Sequence, residues 1–137
     1  MSPTIMWFRR DLRLQDHAAL TAAVAKGGPV IAVFICDELV ESLGAAPKWR
    51  LGAGVAALQL ALEAKSTRLI LRRGPALSVL TALVAETGAD AVYWQRAYDP
   101  KSQLRDTEIK EAMVATALRQ KALKVTCCLS LGQCKLK

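Results

Sequence analysis

The strongest constraint on the fold is an alternation of short apolar runs with segments of helical period. Continuous apolar runs rich in β-branched and aromatic residues occupy 4–8 (TIMWF) and 30–35 (VIAVFI), and shorter ones occupy 68–72 and 90–94. Such runs are typical of strands that are covered on both faces of a sheet. A weaker fifth candidate, LKVTCCL, lies at 123–129. The sequence therefore predicts five strands.

The connections between these runs have the period of helices. In the first connection, Asp16 is the candidate amino-terminal cap, and the helix is expected to end near 26–28. In the third connection, Pro75 suits the first helical position and Gly88 suits the exit. The predicted apolar stripes are Leu20, Ala23 and Val24; Leu51, Val55, Leu58 and Leu62; Leu77, Leu80, Leu83 and Val84; and Ile109, Met113 and Ala117.

Regular alternation of strand and helix implies parallel strands joined by right-handed crossovers. We expect one α/β domain, a Rossmann-like open parallel five-stranded sheet with helices on both faces. The 137 residues, 53% of them hydrophobic, are enough for one core. Functional residues of such sheets collect in the loops after the carboxyl ends of the strands. Here those loops are RRDLRLQD, CDELVESLGAAPKWR, RRGP and QRAYDP.

The net charge of +7 invites a nucleic-acid interpretation, but the charge is unevenly distributed. Residues 100–137 hold 8 basic and 3 acidic residues, and no acid follows Arg119. This pattern favours a solvated basic terminus over DNA binding by the body of the domain. Within RRDLR the signs alternate, so we expect these charges to satisfy one another and to brace the turn after the first strand.

Other features limit the compartment and the chemistry. No apolar run approaches the roughly 20 residues that span a bilayer, and the amino terminus lacks a secretory signal, so we expect a cytoplasmic protein. Neither a metal site nor a disulfide framework is expected from the spacing of Cys36, Cys127, Cys128 and Cys134. No glycine-rich phosphate motif and no nucleophile beside His17 is visible, so a structural or solvated histidine and no catalytic residue are predicted.

The segment WFRRDLRLQDHAAL resembles the amino-terminal signature of the photolyase and cryptochrome family, WFRRDLRxxDNxAL. Trp7 to Leu14 and three later positions match, whereas His17 replaces the usual Asn. The similarity continues through VIAVFICDE, the helix after AAPKWRL, the block from RLILRRGP to DAVYW, and YDPKSQLRD. It covers roughly residues 4–124.

This resemblance implies the amino-terminal α/β domain of a deoxyribodipyrimidine photolyase, a carbon–carbon lyase. In this family the domain carries an antenna chromophore, methenyltetrahydrofolate or 8-hydroxy-5-deazaflavin. A larger helical domain holds FAD and binds DNA, where the excited reduced flavin splits pyrimidine dimers. That domain is absent from these 137 residues. The chain is therefore expected to bind at most an antenna, not to bind FAD or DNA alone, and not to be catalytic by itself.

The resemblance also suggests which positions touch the antenna. Lys101 and Ser102 replace the Asn-Glu pair of folate-binding members, and Ala97 replaces an acid that deazaflavin-binding members carry before E-P, so neither chromophore is selected. For each candidate position a core or ordinary loop role stays open. The candidates are Phe34, Cys36, Asp37, Lys48, Arg50 and Asp99.

The end of the chain departs from the family pattern. Residues 125–137 are predicted to form a divergent tail, in part a fifth strand, and a reading-frame change near Lys124 is favoured over a natural short paralogue. Two other functions stay open: a nucleotide-binding module of the universal-stress-protein kind, although the last forty residues contain only Gly132, and a folded remnant without a ligand. An apolar surface that normally meets the helical domain predicts self-association.

Overall fold

A computed structural model describes residues 2–95, 99–120 and 124–128, with the backbone alone at 114, 116–120 and 124–128. Strands and helices alternate along this part of the chain as the apolar runs predict. The strands are β1 (Thr4–Phe8), β2 (Val30–Cys36), β3 (Leu69–Arg73), β4 (Ala91–Gln95) and β5 (Lys124–Cys128). The helices are α1 (Ala18–Ala25), α2 (Glu38–Glu41), α3 (Ala45–Glu63), α4 (Ala76–Thr87) and α5 (Pro100–Gln120).

The strands form one sheet in the order β3-β2-β1-β4-β5, and every neighbouring pair is parallel. The α/β class with a parallel sheet is therefore confirmed. The described side chains of the core come from four strands, β1 to β4, and not from all five strands that the sequence predicts. β5 extends the sheet at the edge, where its backbone pairs with β4. The predicted tail beyond residue 128 lies outside the described residues.

Two apolar clusters cover the two faces of the sheet, because successive side chains of a strand point to opposite sides. From β1, Ile5 and Trp7 belong to the cluster that contains residues of α4 and α5. Met6 and Phe8 belong to the cluster that contains residues of α1 and α3. Helices thus pack on both faces, as predicted.

The ends of the helices differ in detail from the sequence prediction. His17, not Asp16, caps α1, since Asp16 has a left-handed backbone (φ 50°) whereas the capping residue is extended. Val24 is 59% exposed, and α1 instead buries Ala19 and Ala23. Gly88 ends α4 in the left-handed conformation (φ 68°), as expected for an exit glycine.

The short helix α2 was not predicted, because four residues are too few for a periodic pattern. Asp37 caps it: its carboxylate accepts a hydrogen bond of 3.1 Å from the Val40 backbone N–H. None of the described helices is long and apolar enough to cross a membrane.

The strand order determines where a site can form. The chain first moves from β1 to β2 and β3, then returns to the other side of β1 at β4, so the order reverses between β1 and β4. In open α/β sheets, ligands bind at the carboxyl ends of the strands near such a reversal. The carboxyl ends of β1, β2 and β4 lie at this edge.

Candidate functional site

A cavity of about 390 Å³ opens at the carboxyl edge of the sheet. Its apolar wall comes from β2, α2 and the beginning of α3, and its polar wall comes from the loop after β1, the end of β4 and the beginning of α5. The apolar wall contains Phe34, Leu39, Val40, Leu43 and Leu51; the polar wall contains Arg10, Asp11, Gln95, Asp99 and Ser102.

The structure brings together three of the six predicted site residues. Phe34, Asp37 and Asp99 line the cavity, at the ends of β2 and just before α5. Their placement follows from the fold, because parallel strands bring their carboxyl ends to one edge.

Cys36, Lys48 and Arg50 lie outside the lining. The Cys36 thiol lies 3.6 Å from the Glu41 carboxylate, and Lys48 donates to the Glu41 carbonyl at 3.2 Å. Burial raises the pKa of the Cys36 thiol, and its hydrogen bond to Glu41 raises it further. Arg50 is exposed, since α3 turns the next residue, Leu51, toward the cavity and successive helical residues differ by about 100°.

Arg9 connects three elements at the point where the strand order reverses. Its Nη1 atom donates to both carboxylate oxygens of Asp106, at 2.6 and 2.7 Å. Its Nη2 atom donates to the backbone carbonyl of Gln95. The side chains of Arg9 and Asp106 are each only 10% exposed. This buried pair joins the end of β1 to β4 and α5. It contradicts the expectation that the charges of RRDLR satisfy one another locally.

A second ion pair stands beside the first. Arg105 pairs with Asp37, which is 3% exposed, so the cap of α2 is also bonded to α5. The guanidinium carbons of Arg9 and Arg105 each lie 5.0 Å from the centre of the Trp7 ring. Both cations thus lie near the same buried indole, and both also contact the Asp106 carboxylate.

Three residues that line the cavity each have a buried polar atom that forms no hydrogen bond with any described residue. These atoms are the indole N–H of Trp7, the side-chain carbonyl of Gln95 and the Nε–H of Arg105. Unpaired buried polar groups are rare because leaving them unsatisfied costs about 1–3 kcal/mol.

At the mouth of the cavity, Asp99 accepts a hydrogen bond of 3.0 Å from the Ser102 backbone N–H. Hydrogen bonding with Ser102 lowers the pKa of the Asp99 carboxyl, so this carboxylate is charged at neutral pH. It adds a negative charge beside the exposed Arg10.

Asp11 and His17 form a buried pair under the loop after β1. His17 Nδ1 accepts the Leu20 backbone N–H at 3.2 Å, so Nδ1 carries no proton and the Nε2–H group donates to Asp11. Burial raises the pKa of Asp11, but the hydrogen bonds from His17 and from the Arg9 backbone N–H outweigh it and lower the pKa overall. The predicted structural role of His17 is consistent with this position, at 2% exposure.

This geometry explains how His17 replaces the Asn of the family signature. An amide also offers one acceptor for the cap and one donor for Asp11. We expect His17→Ala to lower the free energy of unfolding by about 1–2 kcal/mol, the usual cost of losing a cap, and His17→Asn to lower it by less. Urea unfolding of the three proteins checks this. Equal losses in both variants would show that the cap and the Asp11 bond contribute nothing.

Sequence reasoning missed most of the cavity. Arg9 and Arg105 belong to segments that carry the family resemblance, but nothing in the sequence indicates that they flank the same ring. Trp7 looks like an ordinary core residue, because it lies in a continuous apolar run. The one available signal was that polar residues follow three of the predicted strands, whose carboxyl ends lie at one edge of a parallel sheet.

The fold and this edge define a class: an α/β domain with a ligand cavity beside the strand-order reversal. The sequence model of the DNA photolyase family matches residues 4–135. The chain therefore belongs to the DNA photolyase family. The match extends past residue 124, and the predicted domain boundary at that residue stays a prediction.

The curated relatives include photolyases and cryptochromes. The deoxyribodipyrimidine photo-lyase of Agrobacterium fabrum is 46% identical over 112 residues, which are 82% of this chain and 23% of the relative. The chain thus spans about a quarter of the length of that relative.

Two solved structures give the same result. A bacterial class III photolyase from Agrobacterium tumefaciens superposes with a TM-score of 0.82 and 41% identity, over 98% of this chain and 28% of that one. An archaeal photolyase from Sulfolobus tokodaii, described with two FAD molecules and a novel light-harvesting cofactor, superposes with a TM-score of 0.73 and 27% identity, over 91% and 28%.

Proposed function

We propose that the cavity binds the light-harvesting chromophore of a photolyase, methenyltetrahydrofolate or 8-hydroxy-5-deazaflavin. The observation that carries this proposal is a cavity at the strand-order reversal that has one apolar wall and one polar wall. At about 390 Å³ the cavity falls within the range of roughly 300–1,000 Å³ that is usual for small-molecule sites.

The chain's own residues fit a flat heteroaromatic group. Phe34 and Leu51 would supply apolar contact, and Arg10, Asp99 and Ser102 of the polar wall would supply the polar contacts. When bound, the chromophore would absorb light and pass the excitation to a flavin. The ion pairs of Arg9 and Arg105 fix the walls, so the polar atoms are already in place before the ligand arrives.

We propose further that this domain serves light-driven repair of pyrimidine dimers in DNA. The relatives named as photolyases support this, but the Agrobacterium fabrum relative is about three and a half times as long as the chain. Binding of FAD, binding of DNA and cleavage of the dimer are assigned to the parts of such proteins that these 137 residues do not match. Neither FAD binding nor repair is therefore expected from the isolated chain.

A nucleotide-binding function finds less support in the geometry. Phosphates of nucleotides normally occupy the crevice at the strand-order reversal, close to a helix amino terminus. Here the Arg9–Asp106 pair and the backbone carbonyl of Gln95 occupy the crevice between the ends of β1 and β4. ATP therefore serves as the contrasting ligand in the test.

The test is to mix the purified chain with each chromophore, and separately with ATP and FAD, and to measure what absorbance is retained through gel filtration. A retained chromophore band supports the proposal. Leu51→Trp, which fills the cavity, should weaken chromophore binding about tenfold or more, equivalent to about 1.4 kcal/mol. Retention of ATP alone would favour the nucleotide-binding function, and no retention of any ligand would favour a folded remnant.

The matched control is Lys48→Ala together with Arg50→Ala. Both residues were predicted from the sequence but lie outside the cavity, so this variant should bind like the unaltered chain. Loss of binding in the control, with Leu51→Trp unaffected, would move the site away from the cavity.

A further inference from the structure

The loop between β1 and α1, residues 9–17, supplies part of the polar wall of the cavity. Arg10 and Asp11 belong to the residues that line it. Beside Asp11, Leu12 lies against α3, since a Cβ at Gly54 would be only 2.9 Å from Leu12 Cδ1. The loop thus contacts both the cavity and α3, and a shift of the loop changes the shape of the cavity wall.

The hydrogen bonds of this loop are internal. The Arg13 backbone N–H donates to the Asp11 carbonyl at 2.8 Å, and the Arg13 guanidinium donates twice to the Asp16 carbonyl, at 3.2 and 3.1 Å. Among the described residues, no hydrogen bond of residues 11–16 leaves the loop. The loop is tied to α1 by the pair of the Asp11 carboxylate with His17, the residue that caps this helix.

The His17 ring has two contacts that both depend on where its proton lies. Its Nδ1 atom accepts the Leu20 backbone N–H at 3.2 Å, and its Nε2 atom pairs with Asp11. The Leu20 N–H needs this acceptor, because the first N–H groups of a helix have none within the helix. A protonated imidazole carries hydrogen on both nitrogens and accepts no hydrogen bond. Protonation therefore removes the cap of α1, whereas the attraction between the ring and Asp11 grows.

The surroundings of the ring decide how it responds to a second proton. Among the described residues, the only ionisable group in contact with the ring is Asp11. On the side of β1 the ring meets Phe8, with 5.4 Å between the ring centres, and the charged neighbours Arg13 and Asp16 are bonded to each other. The side chain is 0% exposed, so no water reaches Nδ1. The protonated ring therefore has to leave the Leu20 N–H, and the Asp11 carboxylate moves with it.

We propose that His17 is a proton switch on the cavity: neutral His17 holds the loop 9–17 in the form that lines the cavity, and proton uptake at Nδ1 shifts the loop and weakens ligand binding. Histidine is the side chain whose charge ordinarily changes between pH 5 and 8, and His17 is the only histidine of the chain. The Asn of the family signature takes up no proton, so the switch follows from this chain's own residue. The effect on the ligand rests on the proposed function, whereas the movement of the ring does not.

NMR tests the movement of the ring without a ligand. At neutral pH the imidazole nitrogens should show a proton on Nε2 and none on Nδ1. Between about pH 7.5 and about pH 5.5, the protection of the Leu20 amide against hydrogen exchange, corrected for the intrinsic rate, should fall about fivefold or more, the usual effect of losing a cap. It should stay constant in His17→Asn, and amides in the middle of α4 should stay constant in both proteins. A proton on Nδ1 at neutral pH, or Leu20 protection that acid leaves unchanged, overturns the proposal.

Ligand binding tests the consequence for the cavity, with methenyltetrahydrofolate and 8-hydroxy-5-deazaflavin as probes. Acidification over the same range should raise the dissociation constant about fivefold or more in the unaltered chain and not in His17→Asn. Both proteins are measured with the same chromophore, so changes in the chromophore itself cancel. Asp11 stays charged over this range, because burial raises its pKa but its hydrogen bonds lower it more.

The two measurements separate the switch from the proposed function. If a chromophore binds and both proteins show the same pH dependence, the switch is wrong and the proposed function stands. If neither chromophore binds at either pH, the proposed function is wrong, and the NMR result decides on the movement of the ring. Circular dichroism verifies the fold of His17→Asn at both pH values.

Discussion

Arg9→Met is expected to lower the free energy of unfolding by about 3–5 kcal/mol, the usual effect of removing one partner of a buried ion pair. The substitution removes the two short hydrogen bonds of the buried Asp106 carboxylate and leaves it the 3.5 Å contact with Arg105. It also frees the Gln95 backbone carbonyl. Chemical denaturation of both proteins measures the difference. A loss below about 1 kcal/mol would show that water replaces the guanidinium at no cost.

Two further variants separate the ion pair from the change in shape. Arg72→Met breaks the pair with Glu86, whose side chains are 46% and 60% exposed, and should cost at most about 1 kcal/mol. The double variant Arg9→Met with Asp106→Leu removes both buried charges, so it should be more stable than Arg9→Met alone. If the double variant is the less stable of the two, packing rather than charge explains the loss.

Trp94→Ala is the second change with a large expected effect, a loss of about 3–5 kcal/mol in the free energy of unfolding. Trp94 is fully buried, and its ring centre lies 5.9 Å from that of Trp7 in an edge-to-face contact. Removing it leaves a cavity in the cluster between the sheet and the helices α4 and α5. Urea unfolding monitored by circular dichroism gives the value.

The controls for Trp94 use its unpaired indole N–H. Because this donor is buried and has no partner among the described residues, Trp94→Phe removes an unsatisfied group as well as some apolar contact. Its cost should therefore stay below about 2 kcal/mol. Leu104→Ala, at a position 65% exposed, should change stability by no more than about 0.5 kcal/mol. Equal costs for Trp94→Phe and Trp94→Ala would contradict the packing argument.

The buried charges of this domain serve the geometry of the site more than its stability. A buried ion pair rarely stabilises a fold relative to apolar side chains of the same shape, since desolvation offsets the attraction. Arg9 and Arg105 instead place their guanidinium groups beside the Trp7 ring and join α5 to β1 and α2. The consequence is a cavity whose walls are bonded to three strand ends.

The sequence alone predicted the elements and the architecture because these depend on local patterns. The apolar runs at 4–8 and 30–35 lie in β1 and β2, and the exit at Gly88 ends α4 where the glycine allows a left-handed backbone. The predicted cap of α1, Asp16, was wrong by one residue, since His17 caps this helix. Asp16 and His17 both offer acceptors, and only the backbone conformation decides between them.

The family, too, follows from the sequence, since the segment WFRRDLRLQDHAAL and its neighbours carry the resemblance that the family match confirms. The sequence could not locate the cavity so well. Three of the six candidate residues line the cavity, namely Phe34, Asp37 and Asp99, whereas Cys36, Lys48 and Arg50 do not. Position along the chain does not say which way a helix turns a side chain, and the antenna-binding role of all six stays a prediction.

What only the tertiary structure decided is where the charges of RRDLR go. Locally, Asp11 is the obvious partner of its neighbouring arginines, yet Asp11 takes the Arg9 backbone N–H and the His17 ring, and the Arg9 guanidinium reaches Asp106, 97 residues away. The crossovers of a parallel sheet place the strands β1 and β4 side by side. The buried Arg9 guanidinium pairs with Asp106 because both oxygens of this carboxylate lie within hydrogen-bond distance of it. Proximity in the folded structure, and not proximity along the chain, therefore determines the pair.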